Sequence, residues 1–133
     1  MILHICPEAD WAAVPPDGEY TPPSLDDVGF VHCSDPGTVQ FPAERVFAGR
    51  DDLLLLVVDP ARLDVPVRWE PAEPPEPGAP WFPHVYGPIP VSAVVGTHAF
   101  PPGPDGTFRL PEPLHEFPRR AVDGVPNRAD AAR

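Results

Sequence analysis

The sequence predicts an α+β fold, a small single domain of short, mainly antiparallel strands and short helices, and three observations carry that reading. A length of 133 residues with 42% hydrophobic content suits one domain with one modest core rather than two. The 24 prolines, several times an average share of about 5%, interrupt every long stretch and exclude long helices. Apolar runs are short and separated by turn residues. The longest, Leu53 to Val58, has six residues, against the roughly 20 that a membrane-spanning helix needs.

Each element follows from its local pattern. Met1 to Cys6 reads as a buried central strand with Ile2, His4 and Cys6 on one face and Leu3 and Ile5 on the other. Pro7 suits a helix start, Glu8 and Asp10 favour its positive end, and Trp11 and Val14 face inward before Pro15 and Pro16 stop it after about two turns. A turn at Pro16-Asp17-Gly18 leads to a short extended piece at Glu19 to Thr21. Ser24 with Asp27 then resembles a helix N-cap and its reciprocal acid, ended by Gly29. Phe30 to Cys33 is a second strand, with Phe30 and His32 on one face and Val31 and Cys33 on the other. Ser34-Asp35-Pro36 starts a kinked helix or two helical segments, with Val39, Pro42 or Ala43, Val46 and Phe47 inward and Gly49 at the close. Leu53 to Val58 lacks alternation and is the expected sheet centre, covered on both faces. A tight helical or turn connection at Asp59 to Leu63 leads to a strand at Val65 to Glu70, which Pro66 places near an edge and on which Arg68 and Glu70 share a face. Residues 71 to 80, alternating proline and acid, are expected to be a mobile loop that acts as a lid. Trp81 to Tyr86 is extended, Val91 to Phe100 is a turn and a strand, and Pro104-Asp105-Gly106 is a hairpin turn into a strand at Thr107 to Leu110. After Pro111 a loose tail is expected, with its last ten residues mobile.

Composition narrows the function classes. Nine arginines, no lysine and 20 acidic residues give a net charge of −11, which repels a phosphate backbone and an anionic membrane surface. Neither nucleic acid nor membrane is an expected partner, a small-molecule ligand is, and the sequence sets no oligomeric state. Cys6 and Cys33 are too few for a disulfide framework and read as reduced thiols. The first residues lack the pattern of a secretory signal, so the cytoplasm is the default address. The lysine-free, arginine-only, proline-rich usage resembles the coding bias of a high-GC bacterial genome.

Three histidines in apolar frames are the main chemical signal: Leu3-His4-Ile5, Phe30-Val31-His32-Cys33-Ser34 and Phe82-Pro83-His84-Val85-Tyr86-Gly87. Histidine titrates near neutrality and carries two distinct ring nitrogens, so three framed copies point to one polar pocket built from distant segments. The plainer reading is that each is a core residue satisfied by a neighbouring group. Separations of 28 and 52 residues give no metal-ligand signature, and no metal is expected. His98, on an edge strand, and His115, in the tail, stay outside the site.

The order of Leu3-His4-Ile5, Tyr20 to Leu25, Gly29 to Ser34, Asp52 to Pro60 and Phe82 to Pro88 resembles the small bacterial family catalogued as domain of unknown function 952 (DUF952). The resemblance spans roughly residues 1 to 100. It implies a DUF952-like domain over 1 to 110 and a partly disordered C-terminal extension over 111 to 133. That family is similar in fold to ADP-ribosyltransferases, in which split antiparallel sheets flank an NAD cleft, so the resemblance implies NAD as cofactor. His4 would then hold a ribose from the first strand, with His32 and Ser34 on the nicotinamide side. The late glutamate of such enzymes is absent from the third motif, which offers His84 and Tyr86, and Glu70 is the nearest alternative acid.

The resulting expectation is a histidine-lined cleft in a transferase or related enzyme acting on NAD, a nucleotide or a phosphorylated small molecule. His32, His84 and Glu70 are its candidate catalytic residues. His4, Tyr20, Ser24, Ser34, Arg45, Arg50 and Tyr86 are its candidate binding residues. A noncatalytic small-ligand or regulatory module, and a tailoring enzyme of specialised metabolism, are the alternatives. An RNA phosphotransferase is disfavoured by the acidic surface.

Overall fold

The computed structural model describes residues 1–72, 75 and 77–118. Its elements run β1 (Ile2–Pro7), α1 (Glu8–Ala12), β2 (Glu19–Tyr20), α2 (Pro23–Asp27), β3 (Val31–His32), α3 (Gln40–Val46), β4 (Leu53–Val58), β5 (Val67–Pro71), β6 (Trp81–Val85), β7 (Ile89–Pro90) and β8 (Val94–Ala99). Short 3-10 turns cover Pro60–Arg62, Val91–Ala93 and Glu112–Glu116. The described strands form three antiparallel sheets in the orders β1-β4-β8, β3-β6-β5 and β2-β7. The chain is thus a small α+β domain with antiparallel sheets and few, short helices.

β4 is the centre of the first sheet, and its apolar run is covered on both faces because β-strand side chains alternate. Leu56 and Val58 join Ile2 and Cys6 of β1, and Val31 and Val85 of the second sheet, in one buried cluster. Leu53, Leu55 and Val57 join Leu3 and Ile5 in another, closed by Val39, Ala43, Phe100, Phe108 and Leu114. Two apolar clusters therefore replace the single core expected, since one short sheet buries both of its surfaces. The second sheet needs only one apolar face. Val31, Cys33 and Val85 on that face are buried, whereas Phe30, His32, His84 and Tyr86 project from the other by strict alternation.

Several local expectations change. β1 is an edge of its sheet, not a central strand; its free side makes one isolated bridge, Leu3 N to Ser34 O at 2.8 Å and Ser34 N to Leu3 O at 2.7 Å. α1 has five residues, scarcely more than one turn, because Pro15 follows so soon. Ser24 caps nothing: Pro22 is the α2 N-cap, and the Ser24 hydroxyl donates to the Phe30 carbonyl at 2.9 Å. Asp35 turns the chain by accepting from Gly37 N at 2.8 Å, and α3 begins only at Gln40. Val46, expected inward, is 67% exposed because the helix stops there and the inward line runs Val39, Ala43, Phe47 at spacings of four.

The turn at Asp105 forms, its carboxylate accepting from Thr107 N at 3.1 Å and Thr107 Oγ1 at 2.7 Å. Residues 107–110 nevertheless make no strand. Phe108 N instead donates to Glu44 Oε2 at 3.2 Å, which swings the segment toward α3 and seats the Phe108 ring against Phe100. Leu114 is buried and Phe117 packs beside it, so residues 111–118 dock on the second cluster rather than hanging free. Most of the acidic loop is described, but Glu73, Pro74 and Glu76 of the expected lid, and residues 119–133 of the expected mobile tail, lie outside the described residues.

Candidate functional site

A cavity of about 600 Å³ opens between the first sheet, α2, α3 and the second sheet, within the range of small-ligand sites. Its lining includes His4, Tyr20, Ser24, His32, Ser34, Arg45 and His84. Glu70 and Tyr86 do not line it but bond to each other, and Glu70 bonds His84 at the wall. Arg50 is elsewhere: its guanidinium donates to the Asp52 carboxylate at 2.9 and 2.6 Å, both partners being exposed.

The three histidines converge through the pairing of β3 with β6 and the closeness of β1 to β3. His32 lies directly opposite His84 in the antiparallel register, with ring centroids 5.4 Å apart. His4, on β1, reaches the same corner and donates from Nδ1 to the His32 carbonyl at 2.6 Å. A carbonyl can only accept, so Nδ1 carries the proton and Nε2 faces the Tyr20 hydroxyl at 3.4 Å. Burial, opposed by the bond to His32, pulls the His4 pKa down to about 4. His4 is therefore a neutral, doubly engaged ring at pH 7.

His84 has a different environment. Its Nδ1 donates to Glu70 Oε1 at 2.8 Å, and the Tyr86 hydroxyl donates to the same oxygen at 2.6 Å. Sheet geometry produces this: Glu70 stands opposite Phe82 on β5 and β6, and His84 is two residues on, on the same face. Burial raises the Glu70 carboxyl, but hydrogen bonds from Tyr86 and His84 outweigh it and hold the group below its usual range. Burial lowers His84 despite the neighbouring carboxylate. Burial and the proximity of His84 lower His32. With Nδ1 held by an ionised carboxylate, Nε2 is the ring nitrogen of His84 left to exchange a proton.

Aromatic rings frame this pair. Phe30 stacks on His84 with centroids 4.0 Å apart and planes 15° from parallel, and meets His32 edge-on at 4.9 Å. Arg68 lies over the Tyr86 ring at 4.9 Å. The role of Phe30 was open to discovery from its place two residues before His32; those of Phe41, Phe47 and Asp10, which also line the cavity, have no local sequence signal. Burial raises the thiols of Cys6 and Cys33, which are free and buried, so neither is an activated nucleophile. Among the described residues no group of three or more His, Cys, Asp or Glu side chains is placed to hold a metal ion. No helix among them is long and apolar enough to cross a membrane.

Comparison with known proteins gives kinship without a named activity. The family profile described as "Protein of unknown function (DUF952)" matches residues 5–97. Among solved structures, the crystal structure of protein CC0527 from Caulobacter crescentus is 30% identical, with a TM-score of 0.70 over 86% of this chain and 97% of that one. The solution NMR structure of CC0527 is 28% identical, with a TM-score of 0.65 over 87% and 95% of the respective chains. Both are structural genomics targets. No curated protein matches the chain.

Proposed function

The chain belongs to the DUF952 family, and from that premise we propose that its cavity is the active site of a small-molecule enzyme that binds a nucleotide-class ligand and uses His84 as acid and base. The observation that carries this reading is the Glu70–His84 hydrogen bond of 2.8 Å, backed by Tyr86, at the wall of a ligand-sized cavity. A carboxylate on Nδ1 fixes the tautomer and steadies the imidazolium that forms when Nε2 takes a proton. Phe30, Phe41 and Phe82 offer flat surfaces to a base or nicotinamide ring.

In the ADP-ribosyltransferase-like form of this reading, NAD is the ligand and the two sheets flanking the cavity are the halves of the cleft. Glu70 supplies the carboxylate that the third histidine motif lacks. His4, with both ring nitrogens engaged, shapes the wall, while His32 and His84 meet the ligand. The noncatalytic alternative is favoured by one feature: Glu70 Oε1 already accepts from two donors.

Calorimetry against a nucleotide panel that includes NAD, followed by turnover of each binder read by mass spectrometry, tests the proposal. Saturable binding with turnover is expected. Glu70→Gln and His84→Asn should each lower the rate by about a hundredfold or more while changing affinity only a few-fold. Binding without turnover in the native protein selects the noncatalytic module, and no binding across the panel refutes both.

A further inference from the structure

Charge distribution around the cavity restricts what can occupy it. Among the described residues, the only charged side chains in its lining are Asp10 and Arg45; the remainder of the described lining is aromatic, aliphatic, proline, hydroxyl, thiol or histidine, and burial favours the uncharged form of each of the three histidines. Of the five arginines among the described residues, four are tied down. Arg50 bonds Asp52, Arg62 pairs with Asp59 and reaches the Ser92 carbonyl, Arg68 covers the Tyr86 ring, and Arg109 pairs with Asp105. Arg45 alone has no hydrogen bond, ion pair or ring contact among the described residues, and it is the one on the cavity.

A guanidinium has five donors and no acceptor, and its planar fork matches the oxygens of a carboxylate or phosphate. Asp10 has the opposite character: its carboxylate accepts from hydroxyl or amino groups and repels a second anion. The chain's net charge of −11 adds a field that disfavours polyanions. The walls between these two groups favour a flat apolar body, with Phe41 44% exposed on α3 beside Arg45.

From this arrangement we infer that the cavity selects a ligand with an aromatic or heteroaromatic body and a single anionic group, and that Arg45 is the specificity-determining residue that reads the anion. The inference rests on the cavity being a small-molecule site, as proposed above, and narrows the ligand from nucleotides in general to those with one anionic group, which selects against the diphosphate of NAD and so against the ADP-ribosyltransferase-like form of that reading. Carboxylate and phosphate share the chemistry Arg45 recognises, so the experiment separates them.

Calorimetry is run with two matched pairs, adenosine against AMP and nicotinamide against nicotinate, together with ADP, on native protein, Arg45→Gln and Arg109→Gln. Arg45 is exposed, so its replacement leaves both apolar clusters intact. In at least one pair the anionic member should bind native protein about tenfold or more tightly than its neutral partner, the size of a charge-assisted hydrogen bond. That pair identifies the anion. Arg45→Gln should erase the preference without altering the affinity of the neutral member, Arg109→Gln should retain it, and ADP should bind more weakly than AMP. Anionic preference that survives Arg45→Gln, an ADP affinity equal to or above that of AMP, or binding of neutral members with no preference overturns this inference and leaves the cavity assignment standing. Failure of every compound to bind native protein overturns both.

Discussion

Hydrogen-bond capacity distinguishes the three histidines more sharply than their sequence frames do. His4 has both ring nitrogens engaged, His84 has Nδ1 on Glu70, and the His32 ring nitrogens accept or donate no hydrogen bond among the described residues. The pKa of His4, lowered from 6.5 to about 4, makes stability depend on pH. The unfolded chain takes up a proton below about 6.5 that the folded one resists until about 4. Stability is therefore full above that window and falls on acidification through it, by on the order of 3 kcal/mol. His32 and His84, both lowered, act with the same sign. Urea unfolding at a series of pH values from 7 to 4 should show the loss, and His4→Asn should flatten much of it. A second expectation concerns Tyr86: replacing it with Phe removes one donor from Glu70 and leaves the His84 bond. The Glu70 carboxyl should then titrate at higher pH, measured by carbon-detected NMR, and an unchanged titration would show that Tyr86 does not tune it.

Elements follow alternation, which is why their faces were legible and their lengths were not. The assignment of Ile2, His4 and Cys6 to one face and Leu3 and Ile5 to the other agrees with the two clusters, as does that of Val31 and Cys33 against Phe30 and His32. Strand length depends on partners: β3 keeps only Val31 and His32 because β6 offers pairing there and the bridge to β1 takes over at Ser34. Gly87, just past β6, shows how tightly this region is packed. A Cβ there would collide with the Cγ1 methyl of Val65, a β-branched side chain with little rotamer freedom. Gly87→Ala should cost on the order of 1–3 kcal/mol, and adding Val65→Ala should recover most of it. Denaturant unfolding of the single and double variants measures both.

At the scale of the whole molecule, the first sheet is enclosed by the second sheet on one side and by α3 and residues 100–117 on the other. The matched family region ends at residue 97, yet Phe100, Phe108 and Leu114 complete the second cluster. Leu114→Ala should therefore destabilise the protein by about 2–5 kcal/mol, as large as a substitution inside β4, with thermal and urea unfolding as the readout. A change within a few tenths of a kcal/mol would mean that the segment is not docked in solution. The low apolar content after Pro111 concealed this docking, since one leucine and one phenylalanine form no periodic pattern, and only their distant partners reveal their role.

Proline spacing and two-residue alternation are local properties, so the short antiparallel strands, the short helices of the described residues and the faces on which His4 and His32 stand were legible in the sequence. Tertiary structure decided what those histidines are. The bond from His4 to the His32 carbonyl, the reach of Glu70 to His84 and the placing of Arg45 on the cavity each depend on strands and helices far apart in the chain. Burial and hydrogen-bond partners fix the charge and free valence of a side chain, and both are set by neighbours that only folding brings within a few ångströms.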